Sequence, residues 1–413
     1  MLASTTTTPT SASRRGPRSS PTPGAGGARP GSTTAATSTS GCPRRSPCGR
    51  WATSWCRRPT TGSRPGPPIR ARARPACRTC RRVRPRPPAS EPSSAGGPSS
   101  TLVPLTPDPH HDRADTLRIG LVGAGAIAEP HVRAWQILGA DVTVHSRRPP
   151  TEFAERHGIR VARSLRALVA ECDIVDVCSP TPTHAEVVRV ALASRRQVVC
   201  EKPLARTAVA AQALVDEAAA AGVLLFAAHV VRYFPAYEEL HRRLKAGEVG
   251  EVSSAAFTRR VAAPPDDSWF HDLGQSGGVV LDLMLHDLDQ ALWQFGPVRT
   301  LTAERIGPGD RRVRATLSHE AGVTTTVEAQ WGPPDTAFAT SYAVHGSRGA
   351  VTWDSRAVDA DGPVSRDVES PYLVQLRNVL DHLRTGRPTR VSPDDGVAAV
   401  ALAERVLAAL GTP

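Results

Sequence analysis

Lysine is almost missing from this chain: of 51 basic residues only Lys202 and Lys245 are lysines, leaving 49 arginines. Aromatic residues make up 4%. No apolar run reaches the roughly 18–20 residues that a membrane-spanning helix needs, which excludes a helical span. Arg14-Arg15 is a twin arginine, but no apolar segment follows it, so a signal-peptide reading fails and a cytoplasmic location is expected. Cysteine is scarce beyond the first 115 residues. Cys178 and Cys200 sit in apolar, strand-like runs and Cys172 just precedes one, the setting of buried reduced thiols. Cys77 and Cys80 form a lone CxxC with no second pair at zinc spacing, so no metal site is expected.

Acidic residues are sparse at one end. Before Thr116 stand 19 arginines against Glu91, Asp108, Asp112 and Asp115, a charge of +15. The whole chain carries +12, so the remainder is −3 and mildly acidic. Residues 1–115 are rich in Pro, Arg, Ser, Thr and Gly. With few aliphatic residues they cannot bury enough apolar surface to offset ordering entropy, and they read as a disordered tail. The tail is consistent with a start assigned too far upstream, a flexible extension, or an arm whose Arg70–Arg86 stretch contacts phosphates. An isolated basic run is usually only solvated, so nucleic acid is not an expected partner.

Ordered patterning begins at Leu117. Apolar runs at 117–122, 141–145, 173–178, 197–200 and 223–228 alternate with helical spacing at 130–138, 153–157, 165–169, 183–194 and 207–221. That alternation predicts a doubly wound parallel sheet over residues 116–235. Residues 236–413 differ. Helices are expected at 237–246 and 282–294 and strands at 252–260, 300–305, 312–318, 323–331, 340–345 and 350–353. Closing helices follow at 372–384 and 394–410. The absence of helices among the later strands predicts an α+β domain with a large, mostly antiparallel sheet.

Gly123-Ala-Gly125-Ala126-Ile127-Ala128 falls between the first strand and the first helix. In that context it is a dinucleotide fingerprint. Gly123 allows the tight turn, Gly125 lets the backbone approach a pyrophosphate, and Ala128 permits close packing of helix on strand. A helix N-terminus then favours the phosphate charge. The second strand ends in His145-Ser146-Arg147-Arg148, without the acid that accepts from a ribose 2′-hydroxyl in NAD sites. Arginines suit a 2′-phosphate, so the expected cofactor is NADP or NAD, with NADP favoured. The plainer alternative is a glycine turn and two solvated arginines.

Glu201-Lys202-Pro203 follows the strand 197–200, at the carboxyl end where doubly wound folds bind ligands. A lysine kept in so arginine-biased a chain suggests a compact ammonium that hydrogen-bonds or titrates. Asp282, His286 and Asp289 follow at spacings of four and three, which would place them on one helical face. A carboxylate one turn from an imidazole can orient it for acid–base work near neutrality. A solvated lysine and a surface pair are the bland readings. A metal at Asp282 and His286 lacks a third ligand.

These three motifs, in this order, resemble the glucose-fructose oxidoreductase / inositol dehydrogenase / rhizopine-catabolism (Gfo/Idh/MocA) family, over roughly Leu117–Pro413. Ser179-Pro180-Thr181-Pro-Thr-His184 resembles the family's loop beside the nicotinamide, and Arg232-Tyr-Phe-Pro235 its exit from the Rossmann domain. The resemblance implies hydride transfer between a nicotinamide and a hydroxyl or carbonyl carbon of a sugar, inositol or related polyol. Lys202 would hydrogen-bond the substrate hydroxyl, and His286, oriented by Asp282, would take its proton. Ser179, Pro180, Thr181, His184 and Glu201 would line the cofactor. Arg232 and Trp269, with Asp272 nearby, would reach the substrate. It also implies a homodimer or homotetramer packed through the second sheet. Met284-Leu-His286-Asp287 leans toward the inositol-dehydrogenase subgroup, whereas Val230-Val231 depart from it. A non-catalytic dinucleotide- or sugar-sensing regulator, imine reduction and cofactor-recycling hydrolysis are the competing functions.

Overall fold

The computed structural model describes residues 116–307, 309–357 and 369–411. The expectations for residues 1–115, including Cys77, Cys80 and the Arg70–Arg86 stretch, lie outside them.

Six short parallel strands form the first sheet: β1 (Arg118–Val122), β2 (Asp141–His145), β3 (Arg160–Val161), β4 (Ile174–Val177), β5 (Gln197–Glu201) and β6 (Leu225–Ala228). Their order is β3-β2-β1-β4-β5-β6, the doubly wound arrangement expected. β4 is buried along its whole length and β1 nearly so, because helices cover both faces. On one face pack α1 (Ala128–Ile137) and α2 (Thr151–His157), through Val132, Trp135 and Phe153. On the other pack α3 (Leu165–Glu171), α4 (His184–Ala193) and α5 (Ala208–Ala221), through Leu168, Val188 and Leu214. Local chemistry bounds these helices. Ser164 caps α3 by accepting from the Ala167 N–H, and Thr207 caps α5 by accepting from Ala210. β3, only two residues long and exposed, has no apolar pattern to announce it.

The second sheet contains β7 (Val252–Ala262), β8 (Val298–Arg305), β9 (Arg312–His319), β10 (Thr324–Gly332), β11 (Ala339–Gly346) and β12 (Gly349–Asp354), in the order β12-β11-β7-β10-β9-β8. All neighbours are antiparallel except β10 and β7, which pair in parallel. β9 alternates strictly, with Val313, Ala315 and Leu317 buried between half-exposed Arg312, Arg314, Thr316 and Ser318. The apolar face packs on α6 (Pro235–Lys245) and α8 (Leu285–Phe295), with Phe257, Val327, Leu240 and Leu288 in one core. A four-residue helix, α7 (Leu273–Ser276), and a π-helical turn (Val280–Met284) precede α8.

The expected division after residue 235 falls at the first residue of α6, just past a 3₁₀ turn (Val230–Tyr233). The chain does not respect it to the end. α9 (Pro371–Thr385) returns to cover the first sheet, its Leu376 and Val379 sharing a core with Trp135 and Phe226. α10 (Pro393–Leu410), started by a Ser392–Asp395 capping box, touches α5 and β6 as well as α8 and β8. The strip of the first sheet left bare by α1 and α2 is apolar and needs a cover, which the final helices supply. Among the described residues no helix is long and apolar enough to cross a membrane.

Candidate active site

The glycine turn sits where the order of the first sheet reverses, between β1 and β4. Gly123 has φ +110°, and a Cβ there would lie 2.5 Å from the Cys178 carbonyl oxygen, so only glycine fits. Its N–H donates to His145 O at 2.8 Å, tying the turn to β2. A Cβ on Gly125 would meet nothing within 4 Å, and Gly125 and Ala126 are exposed. Among the described residues the N–H groups of Gly125, Ala126 and Ile127 have no acceptor, and no side chain caps α1. An open backbone at an uncapped helix start fits the pyrophosphate of a dinucleotide. Ser146 is half-buried. Arg147 and Arg148 are exposed, with no hydrogen bond or ion pair among the described residues.

Lys202 follows β5 directly. Its Nζ donates to the Asp282 carbonyl oxygen at 2.6 Å and lies 3.4 Å from Asp282 Oδ1. The other carboxylate oxygen of Asp282 accepts from Trp331 Nε1 at 3.0 Å. The two motifs, 80 residues apart, therefore meet. The expected Asp282–His286 pair is absent. The π-helical turn at Val280–Met284 bonds i to i+5 and rotates Asp282 off the face that α-helical spacing would give. Asp282 thus holds Lys202 and Trp331, while His286 Nδ1 is buried with no hydrogen-bond partner among the described residues.

Burial, then the nearby charges of Lys202, Arg259 and His229, hold the His286 imidazole well below its ordinary range. His286 is therefore neutral at physiological pH, the state in which it accepts a proton. Asp289, expected on the same face, is buried and grips the Arg232 guanidinium through two bonds of 2.9 and 2.6 Å.

Several expected site residues serve the scaffold instead. Arg232 is 2% exposed and is also held by Asp395 at 3.0 Å, so it has no free edge for a substrate. The His184 ring is buried, its nitrogens facing the carbonyls of Pro203 at 3.0 Å and Ser179 at 2.8 Å. It clamps the loop after β4 to the segment after Lys202, and both ring nitrogens are used there. Ser179 Oγ bonds Thr183 Oγ1 at 2.7 Å, Thr181 is buried, and Pro180 is exposed on the same loop. Glu201 is buried too, with one oxygen on His131 and the other on the Lys202 N–H. Asp272 caps α7 by accepting from the Gln275 N–H. Trp269 is half-exposed and stacks on Phe270 at 4.3 Å.

Trp331, His131 and His229 carried no signal on which sequence reasoning acted. Trp331 sits in a strand like any core aromatic. His131 and Trp135, four apart on the buried face of α1, offered the one usable hint, a polar pair where only apolar side chains are expected.

Known proteins match the chain across both sheets. Residues 117–229 match the oxidoreductase family with an NAD-binding Rossmann fold (GFO/IDH/MocA), and residues 237–352 match the GFO/IDH/MocA C-terminal domain. An inositol 2-dehydrogenase of Rhizobium meliloti is 28% identical over 331 residues, covering 70% of this chain and 95% of its own. One from Acidothermus cellulolyticus is 34% identical over 189 residues, covering 44% and 54%. The solved structure of GenD2, from gentamicin A biosynthesis and in complex with NAD, superposes with a TM-score of 0.64 at 26% identity, covering 74% and 97%.

Proposed function

The chain belongs to the GFO/IDH/MocA oxidoreductase family, and we propose that it is a dehydrogenase or reductase of a sugar, inositol or related polyol. The observation that carries this reading is the meeting of Lys202, Asp282 and a neutral His286 beside the carboxyl end of β5. When bound, a nicotinamide supplies the hydride acceptor or donor. The chain's residues handle the rest. The Lys202 ammonium, steered by the Asp282 carbonyl, hydrogen-bonds the substrate oxygen and favours the developing carbonyl. His286 takes the hydroxyl proton as the carbinol C–H leaves with its electron pair, and returns the proton in the reverse direction. Gly125, Ala126 and Ile127 offer their N–H groups to the pyrophosphate.

The free, exposed Arg147 and Arg148 support a preference for NADP over NAD. The outer face of the second sheet supports a homodimer or homotetramer. It carries short side chains such as Ser254, Ala256, Thr302, Thr316 and Thr326. An ion ladder of Glu304, Arg314, Glu328 and Arg312 crosses it, with both signs present as self-association requires.

The test is to incubate the full chain with NAD or NADP and a panel of inositols, sugars and polyols, following absorbance at the reduced-nicotinamide band. Turnover that disappears in Lys202→Ala and His286→Ala is the expected result. Full activity in both variants overturns the reading. A higher kcat/KM with NAD on the same substrate overturns the cofactor preference. A monomer in sedimentation overturns the oligomer.

A further inference from the structure

A second polar cluster lies under the site, inside the first sheet, and takes no direct part in the chemistry above. His131, on the first turns of α1, has no exposed surface, nor has Asp176 on β4. The His131 Nδ1 is 2.8 Å from Asp176 Oδ2, and its Nε2 is 3.0 Å from Glu201 Oε1. Trp135, one turn along α1, donates Nε1–H to the same Asp176 oxygen at 2.6 Å. Cys178 Sγ faces the other oxygen at 3.6 Å. The second oxygen of Glu201 accepts the backbone N–H of Lys202 at 3.0 Å.

These contacts make a bridge. A carboxylate only accepts, so a ring between two of them donates from both nitrogens, which is the imidazolium form. Burial opposes a charge on the ring, but the facing Asp176 carboxylate outweighs it and holds His131 well above the ordinary imidazole range. His131, Asp176 and Cys178 have potential metal-ligand atoms within 4.8 Å of one another. Two ligands on a tetrahedral ion at about 2.0–2.1 Å stand about 3.3 Å apart. The 2.8 Å contact of His131 with Asp176 is too short for that, and is an ordinary charge-assisted hydrogen bond. The helix that starts at the open glycine turn is therefore pinned to the one acid whose other oxygen holds the backbone of Lys202.

We propose that His131 is a positioning residue for hydride transfer: by cross-bracing α1 and Glu201 it fixes Lys202 relative to the dinucleotide seated at the start of α1. The proposal rests on the dehydrogenase reading for its kinetic consequence, but not for its structural one. Without His131 the dinucleotide still finds its N–H groups, while the backbone that carries Lys202 loses its brace. Two buried acids are also left without the cation between them, and neutralising Asp176 relieves that repulsion without rebuilding the brace.

The chain's lysine scarcity provides the test. Full-length protein labelled with [ε-¹³C]lysine gives two lysine side-chain signals, Lys202 and Lys245. In the wild type, adding NADPH or NADH shifts the Lys202 signal and leaves Lys245 in place. In His131→Gln the shift shrinks at least threefold while the dinucleotide Kd stays within threefold of wild type. kcat falls on the order of 10²-fold, the cost of a misplacement of about 1 Å. Adding Asp176→Asn to His131→Gln neutralises a buried acid without rebuilding the contact to Glu201, and recovers less than threefold of that loss. A folded His131→Gln with wild-type kcat and a wild-type Lys202 shift overturns the proposal. So does a loss of kcat that the double variant recovers, because buried charge and not the missing brace would then be its cause. If His131→Gln does not fold, Glu201→Gln replaces it, with an undiminished Lys202 shift as the overturning result. If the wild type turns over nothing in the panel, the dehydrogenase reading fails on its own, and the lysine signals still decide the bridge.

Discussion

The two walls of the candidate site are built in opposite ways. The wall from β5 is closed: Glu201 uses one oxygen on His131 and the other on the Lys202 N–H, and Asp176 is shared by His131 and Trp135. The wall from α8 is open: among the described residues His286 Nδ1 is buried with no hydrogen-bond partner, and so are both nitrogens of His229, which follows β6 and lies 3.6 Å from Asp289. Buried polar groups left unpaired are costly, so they persist where something other than folding uses them. The closed wall places a cation rigidly, and the open wall keeps a neutral imidazole with bonding capacity to spare. An enzyme that moves a proton and a hydride in one place needs one of each.

The largest effect expected from breaking this contrast is on rate. Lys202→Ala and His286→Ala should each lower kcat by a factor on the order of 10²–10⁴, read as polyol-dependent nicotinamide reduction. On stability, Asp289→Ala strands the buried Arg232 guanidinium. It should cost about 3–5 kcal/mol in denaturant unfolding, moderated by the remaining Asp395 contact. Asp282→Ala frees both Lys202 Nζ and Trp331 Nε1. It should lower kcat on the order of 10²-fold and leave dinucleotide affinity unchanged. Replacing Arg147 and Arg148 by Ala should reduce kcat/KM for NADP by roughly tenfold and hardly alter it for NAD, the scale of one or two charge-assisted bonds.

The smallest effect is on pH dependence, where the two walls have opposite signs. Burial lowers the pKa of His184, His229 and His286, so the unfolded chain binds their protons more readily. Their contribution to stability is present above about 6.5 and is lost as pH falls through the folded values. His131 is raised, so its contribution is full below about 6.5 and is lost as pH rises through its folded value. Thermal melts across this range should show His131→Gln flattening the alkaline side alone. A variant that flattens the acid side contradicts the assignment.

Five strands of the first sheet were legible as short apolar runs alternating with helical spacing, β3 being the exception, and both sheets appear as expected. The π-helical turn was not. Nothing in Val280-Leu-Asp282-Leu-Met284 departs from α-helical spacing, although Gly277 and Gly278 with positive φ precede it. The error over Asp282 follows directly, since periodicity assumes a uniform helix. Arg232 and His184 were misjudged for a different reason. A polar side chain in a motif reads the same whether it faces a ligand or a buried acid, and only burial separates the two.

The sequence by itself determined the strand–glycine–helix start, the order of the elements, and which residues carry charge and hydrogen-bonding capacity, because these depend on local backbone chemistry and composition. Only the tertiary structure decided that Lys202 answers to Asp282, that His131 bridges two acids, and that the last helices cover the first sheet. Those partners lie 80, 45 and more residues apart in the chain, and their pairing is set by how apolar faces close on one another.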